Sequence, residues 1–200
     1  MIYLDNAATT SLSYSVKEAM KQAMDLYGNP SSSHVLGVQV RKMVESVRQK
    51  ALDFLDAKSG TVIFTSGGSE ANTLAIYGLR DHLKSIGRMT IITSKIEHPS
   101  VLNVCAEMER LGFHVIYMPV CSDGRVDIEG LDAMMQEHKD DLGLVSIQMV
   151  NSEIGTVQCI SDIGDLCEEY GVLFHTDAVQ AVGHVPVNVV KNKIHLLSMS

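Results

Sequence analysis

From Thr61 onward the chain alternates between short apolar runs rich in β-branched residues and longer segments with an apolar residue every three or four positions. No other feature restricts the possible folds as strongly. The pattern predicts strands over 61–65, 89–93, 113–118, 144–149, 172–175 and 194–198. It predicts helices over 69–85, 99–110, 128–137 and 160–169, with a turn at 121–125. Because the strands read as apolar runs more than as clean alternations, an α/β fold is expected, a mostly parallel sheet with helices on both faces. Upstream, Val16, Ala19, Met20, Ala23, Met24 and Tyr27 recur at helical spacing and end at the stop signal Gly28-Asn29-Pro30. Val35 to Phe54 predicts a long amphipathic helix, with Val40, Met43, Val44, Val47, Ala51, Leu52 and Leu55 as its core stripe. Asp5 to Ser11 is small and polar, and reads as a loop or extended arm.

Two hundred residues suit one domain, or one and a fraction. Sixteen Lys and Arg against 24 Asp and Glu leave a net charge of -8 with no basic block, which argues against nucleic acid and anionic membrane as partners. No run is long and apolar enough to span a bilayer, and the first residues lack the basic and apolar regions of a leader. Cys105, Cys121, Cys159 and Cys167 show no C-x-x-C spacing. They predict reduced thiols rather than a disulfide framework or a zinc site, so no metal is expected and a cytoplasmic location is.

Ligands of a parallel sheet sit beyond the carboxyl ends of its strands. Several polar residues fall there: Ser66 to Ser69, Glu97 and His98, Asn151 and Glu153, and Asp177 and Gln180. These residues are expected to converge. In the turn Ser66-Gly67-Gly68-Ser69, the glycines let the backbone approach a ligand and the following helix adds its dipole, which suits a phosphate; an ordinary capped helix start fits equally. Asp177 could keep a heterocyclic nitrogen protonated, as the electron sink of pyridoxal 5′-phosphate requires, or serve as a helix N-cap. His98 could stack on a flat cofactor and shuttle a proton, or simply begin a helix. Asn151 and Gln180 could bond a phenolic oxygen, or satisfy loop backbone.

Six stretches carry a resemblance. They are Tyr3 to Thr10, Gly28 to His34, Phe64 to Glu70, Glu97-His98, Asn151 to Gly155, and His175 to Gln180, in this order. Together they resemble the cysteine desulfurases of the class V aminotransferase family, fold-type I pyridoxal-phosphate enzymes, over the whole chain. The resemblance implies that Gly68, Ser69 and Ser200 bind the cofactor phosphate and that His98 stacks on the pyridine ring. It also implies that Asn151 and Gln180 contact the ring hydroxyl side and that Asp177 pairs with the ring nitrogen. The implied reaction takes sulfur from L-cysteine, leaving alanine and a persulfide on a catalytic cysteine. The enzyme would be a homodimer that passes sulfur to an acceptor such as an iron–sulfur scaffold protein. On this reading residues 1–12 are an arm, 13–60 a helical segment and 61–200 an incomplete cofactor-binding large domain.

The sequence departs from the resemblance at three points. Thr73 stands where an asparagine is usual, and Ser152 where a second asparagine often follows Asn151. The lysine that forms the Schiff base should follow the serine matching Ser200 by a few residues, beyond the end of this chain. Lys191 and Lys193 precede the last strand, and none of the four cysteines matches the persulfide nucleophile. The chain is therefore expected to be inactive alone. Selenocysteine lyase, another class V transaminase or lyase, and a truncated partner-binding protein remain alternatives at this point.

Overall fold

A computed structural model of the protein describes residues 2–200. The chain divides into two compact units, Met1–Val62 and Ile63–Ser200. The first contains α1 (Tyr14–Met24) and α2 (Val35–Phe54). Ser13 caps α1, its Oγ accepting the Val16 N–H at 3.3 Å, and His34 opens α2, its Nδ1 accepting the Gly37 N–H at 3.4 Å. The stripe expected to be core on α2 is only partly covered: Leu55 is buried, Val40, Val44, Ala51 and Leu52 are half-buried, and Met43 and Val47 are exposed. Periodicity identifies which face of a helix is apolar, but burial needs an element that covers it.

The second unit is a five-stranded sheet. Its strands are β1 (Thr90–Ser94), β2 (His114–Met118), β3 (Leu142–Ser146), β4 (Leu173–Asp177) and β5 (Leu196–Ser198), in the order β2-β1-β3-β4-β5. Every pairing is parallel, with Ile91 beside Val115, Val145 beside Phe174 and Asp177 beside Ser198. The helices are α3 (Gly68–Tyr77), α4 (Arg80–Ser85), α5 (Pro99–Arg110), α6 (Ile128–Glu137) and α7 (Ile160–Glu169). The chain runs outward from β1 to β2 in one direction and from β3 through β5 in the other. Right-handed crossovers therefore place α5 on one face and α7 on the opposite one. Accordingly α5 packs on α3, and α6 on α7.

Ile91 and Leu144 join Ile76, Val101, Met108 and Phe113 in the core beneath α3 and α5. Their chain neighbours Ile92 and Val145 point the other way and are also fully buried. Burial on both faces is the reason these strands read as apolar runs.

Three helices, α5 to α7, have the bounds that the periodicity predicts, and the strands are displaced by a few residues. The expected strand at 61–65 does not form: these residues belong to no strand, and Ile63 and Phe64 are 63% and 55% exposed. Strand propensity expresses how well a side chain suits a pleated surface, and it makes no ladder without an adjacent strand in register. The helix expected over 69–85 is two helices, broken at Gly78-Leu79, where glycine is a poor helix former.

On α7, Gly164 lies against the connection that leads into β5, and a Cβ there would overlap the Asn192 carbonyl. The same connection is fastened to α7 by Lys193, whose Nζ pairs with Asp165 at 2.8 Å and with Glu168. Alanine favours an isolated helix over glycine by about 1 kcal/mol. A backbone carbonyl cannot rotate aside, so Gly164→Ala is expected to lower stability by about 1–3 kcal/mol. An unchanged or higher urea midpoint would contradict that packing.

Candidate functional site

Because every strand is parallel, all carboxyl ends open onto one edge of the sheet, and a hollow of about 170 Å³ lies there. Gly68, Ser69, His98, Asp177, Gln180 and Ser200 line it, joined by Asn72, Ser100, Gln148 and Ser152. Residues more than a hundred positions apart in the chain thus share one rim. Ser66, Glu97, Asn151 and Glu153 are not on its lining.

The turn into α3 supplies one wall. The Gly68, Ser69 and Glu70 N–H groups precede the first intrahelical bond of α3, from the Ala71 N–H to the Gly67 carbonyl at 3.0 Å. Glu70 folds back to accept the Ser66 N–H at 2.5 Å, which holds the turn in shape and pulls its carboxyl below the usual range. A Cβ on Gly68 would lie 2.7 Å from Val179 Cγ2, so only glycine permits this approach of α3 to the loop after β4.

Asp177, at the end of β4, is 8% exposed. Its Oδ2 accepts from Asn72 Nδ2 at 2.7 Å and its Oδ1 from the Val179 N–H at 3.0 Å. His98 is the N-cap of α5, with Nδ1 2.8 Å from Ser100 Oγ.

Asn151 behaves as a loop residue. Its Nδ2 donates to the Ile96 carbonyl at 3.0 Å, and its Oδ1 accepts the Glu153 and Ile154 N–H groups at 2.8 and 3.0 Å. Gln148 Nε2 donates to the same carbonyl at 2.7 Å. The two amides fasten the loop that carries His98 to the segment after β3. The sequence reading passed over Asn72, although it lies three residues after Ser69 and so on the same helix face. Gln148 and Ser100 gave no signal, because a polar residue among apolar ones marks neither a ligand nor a loop tie.

Two buried titratable groups brace the rim. His175 is fully buried, with Nδ1 2.8 Å from Ser146 Oγ on β3 and Nε2 3.0 Å from Ser198 Oγ on β5. Thr93 Oγ1 donates to the Ser146 carbonyl at 2.8 Å, so a polar belt crosses four adjacent strands. Burial pushes the His175 imidazole down to about 4. Glu97 is 5% exposed, accepting from Ser94 Oγ at 2.5 Å and from the Gln148 N–H at 3.0 Å. Burial, with the charge of Asp177 in the same direction, pushes its carboxyl up to about 8.

Residues 2–200 match the family described as Aminotransferase class-V. The chain belongs to the class V aminotransferase family. Among relatives of this class V chain is the cysteine desulfurase IscS of Dictyoglomus turgidum, 46% identical over 200 residues that make up all of this chain and 50% of the relative. The cysteine desulfurase IscS of Methanosarcina thermophila is 44% identical, with 48% of its length covered. A solved structure described as "SspA in complex with cysteine" superposes with a TM-score of 0.92 at 35% identity, all of this chain on 57% of that one. The NifS-like protein from Rickettsia africae gives 0.86 at 32% identity, with 54% covered. The class V chain spans about half the length of the relatives it matches.

The two buried groups act on stability in opposite senses. An unfolded histidine titrates near 6.5, so the contribution of His175 is whole above that pH and is lost as pH falls through about 4. The contribution of Glu97 is whole below 4.5 and is lost as pH rises through about 8. Urea midpoints between those limits should show His175→Gln flattening the acid limb and Glu97→Gln the alkaline limb. Each group supplies a slope of at most about 1.4 kcal/mol per pH unit. Limbs unaltered by either substitution would mean that these groups titrate as they do in the unfolded chain.

Proposed function

We infer that this chain is the cofactor-gripping portion of a pyridoxal 5′-phosphate-dependent cysteine desulfurase acting on L-cysteine. The observation that carries the reading is the convergence of a glycine turn at a helix start, a nearly buried carboxylate and a histidine on one hollow. Their chemistry fits a phosphorylated pyridine. The free N–H groups at the start of α3, with the Ser69 and Ser200 hydroxyls, suit a phosphate. Asp177 offers a carboxylate that water scarcely reaches, which suits a protonated ring nitrogen. The close approach of Gly68 to Val179 and Ser200, which a Cβ would prevent, brings the turn and the Ser200 hydroxyl to one end of the hollow.

Bound there, pyridoxal phosphate would supply an electron sink for bond cleavage at the amino-acid substrate. The residues of this chain do the holding. Ser69, Gly68 and Ser200 would anchor the phosphate, and Asp177 would keep a proton on the ring nitrogen. His98 would cover the ring face and handle a proton beside it, and Gln180 would stand toward the phenolic side, while Asn151, off the lining, would act only through the loop it fixes. The reading assigns neither the Schiff-base role nor the persulfide role to any residue of the 200. No lysine or cysteine lines the hollow, Cys105 and Cys167 are buried with thiols pushed up to about 12, and Lys193 is occupied in its ion pairs. The reading extends to a cytoplasmic homodimer that hands sulfur to an acceptor such as an iron–sulfur scaffold protein, as the sequence resemblance implies.

Titrating the 200-residue chain with pyridoxal 5′-phosphate, with absorbance spectra before and after borohydride, tests the reading. Saturable binding that dialysis reverses even after reduction is expected, with no cysteine turnover. Asp177→Asn should weaken binding at least about tenfold, or about 1.4 kcal/mol. Binding that does not saturate, equal affinity in the variant, or a reduced adduct at one defined lysine would each count against it.

A further inference from the structure

We propose that Asn72 and Ser100 are positioning residues that hold His98 in one orientation and one tautomer, with its proton on Nε2. The proposal rests on the reading of the hollow given above and deepens it. Four side chains form a continuous chain of hydrogen bonds. Asn72 Nδ2 reaches Asp177 Oδ2 at 2.7 Å and Ser100 Oγ at 2.9 Å, and Ser100 Oγ lies 2.8 Å from His98 Nδ1.

The hydrogens along this chain can be assigned from chemistry. An ionised Asp177 only accepts, so the Asn72 atom facing it must be the nitrogen, which gives one hydrogen to Asp177 and the other to Ser100. Reversing the amide would set two oxygens against each other. Ser100 Oγ, having accepted from Asn72, has its own hydrogen to donate to His98 Nδ1. The Ser100 backbone N–H also points at Nδ1, at 3.2 Å. Two donors directed at one ring nitrogen require a lone pair there, so the neutral ring carries its proton on Nε2.

An independent feature agrees. Asn72 is 1% exposed and its Oδ1 has no hydrogen-bond partner, an arrangement in which both amide hydrogens are used and the oxygen is left over. Serine offers one hydrogen, and aspartate would place a second carboxylate against Asp177. Only an asparagine-like amide at this distance feeds the ring-nitrogen partner and the histidine together. His98 then meets a ligand in the hollow as a donor through Nε2, while Nδ1 is withheld from acting as the base.

The 200-residue chain labelled with ¹⁵N in its histidine rings tests this without any ligand, the His98 signals being assigned by their loss in His98→Gln. Near pH 8 a pyridine-type Nδ1 and a pyrrole-type Nε2 are expected, in a single tautomer. Ser100→Ala should produce a mixture of the two tautomers, and Ser100→Thr, which keeps the hydroxyl, should restore the single one. In parallel, binding of 4′-deoxypyridoxine 5′-phosphate, which has no aldehyde to react with surface amines, should weaken about three- to tenfold in Ser100→Ala and recover in Ser100→Thr. A pyrrole-type Nδ1, or a tautomer indifferent to Ser100→Ala, overturns the proposal. Absence of analogue binding by the unsubstituted chain with the expected tautomer present overturns the cofactor reading instead, and leaves the positioning role standing. Asn72→Ala probes the other link, with both signatures expected to move together if it folds; Ser100→Ala, at a half-buried site near the start of α5, decides the question alone if it does not.

Discussion

The contact between Asn72 on α3 and Asp177 at the end of β4 decides where everything else in the second unit must be. It joins residues 105 positions apart at 2.7 Å, at a depth where both side chains are buried. A carboxylate in that position is tolerable only with its oxygens occupied, and the Asn72 amide and the Val179 N–H occupy them. Fastening α3 there brings the glycine turn to the rim, and the absence of a side chain at Gly68 lets it come close. Removing the amide would take from Asp177 a donor that water could not readily replace.

The rim is kept level by polar groups placed where an all-apolar layer would have sufficed for burial. His175 bonds hydroxyls on the strands to either side, and Glu97 bonds the backbone after β3. A fully satisfied buried network adds direction that hydrophobic contacts lack, since dispersion is indifferent to small slides of one strand along another. Ser198 is two residues before Ser200, and His175 two before Asp177, so the belt fixes both strand ends just below the residues that line the hollow.

Much of this was legible in the sequence because the parallel sheet leaves a simple trace. Strands buried on both faces read as apolar runs, and the helices between them kept their periodicity well enough that α5, α6 and α7 have the expected limits. Of the polar residues that follow strands, Ser69, His98, Asp177 and Gln180 meet on the hollow, and Ser66, Glu97, Asn151 and Glu153 do not line it. The errors have one cause, which is that sequence reports what a segment can offer and not what lies beside it. Residues 61–65 have the side chains of a strand without joining the sheet, and the α2 stripe has the period of a core face while only Leu55 of it is buried. Asn151 spends its amide on Ile96, Glu153 and Ile154, a set of contacts that no local pattern announces. Ser100, whose importance comes from reaching Asn72, 28 positions away, carries no local mark, and the only mark on Asn72, whose other partner is 105 positions away, is its spacing of three from Ser69.

The charge of the chain makes the same point about scale. A net charge of -8 would seem a poor setting for an anionic phosphate. At physiological ionic strength, however, exposed charges are screened beyond about 8 Å, so the total matters less than the few groups at the hollow. The carboxylate nearest the turn, Glu70, is bent back onto the Ser66 N–H and does not line the hollow. Asp177 sits at the opposite requirement, a negative charge where a protonated ring nitrogen would lie. Within one small rim, donors are gathered at one end and a single carboxylate at the other. That polarity, and not the charge of the molecule as a whole, is what the proposed ligand, with an anionic tail and a basic ring, would require.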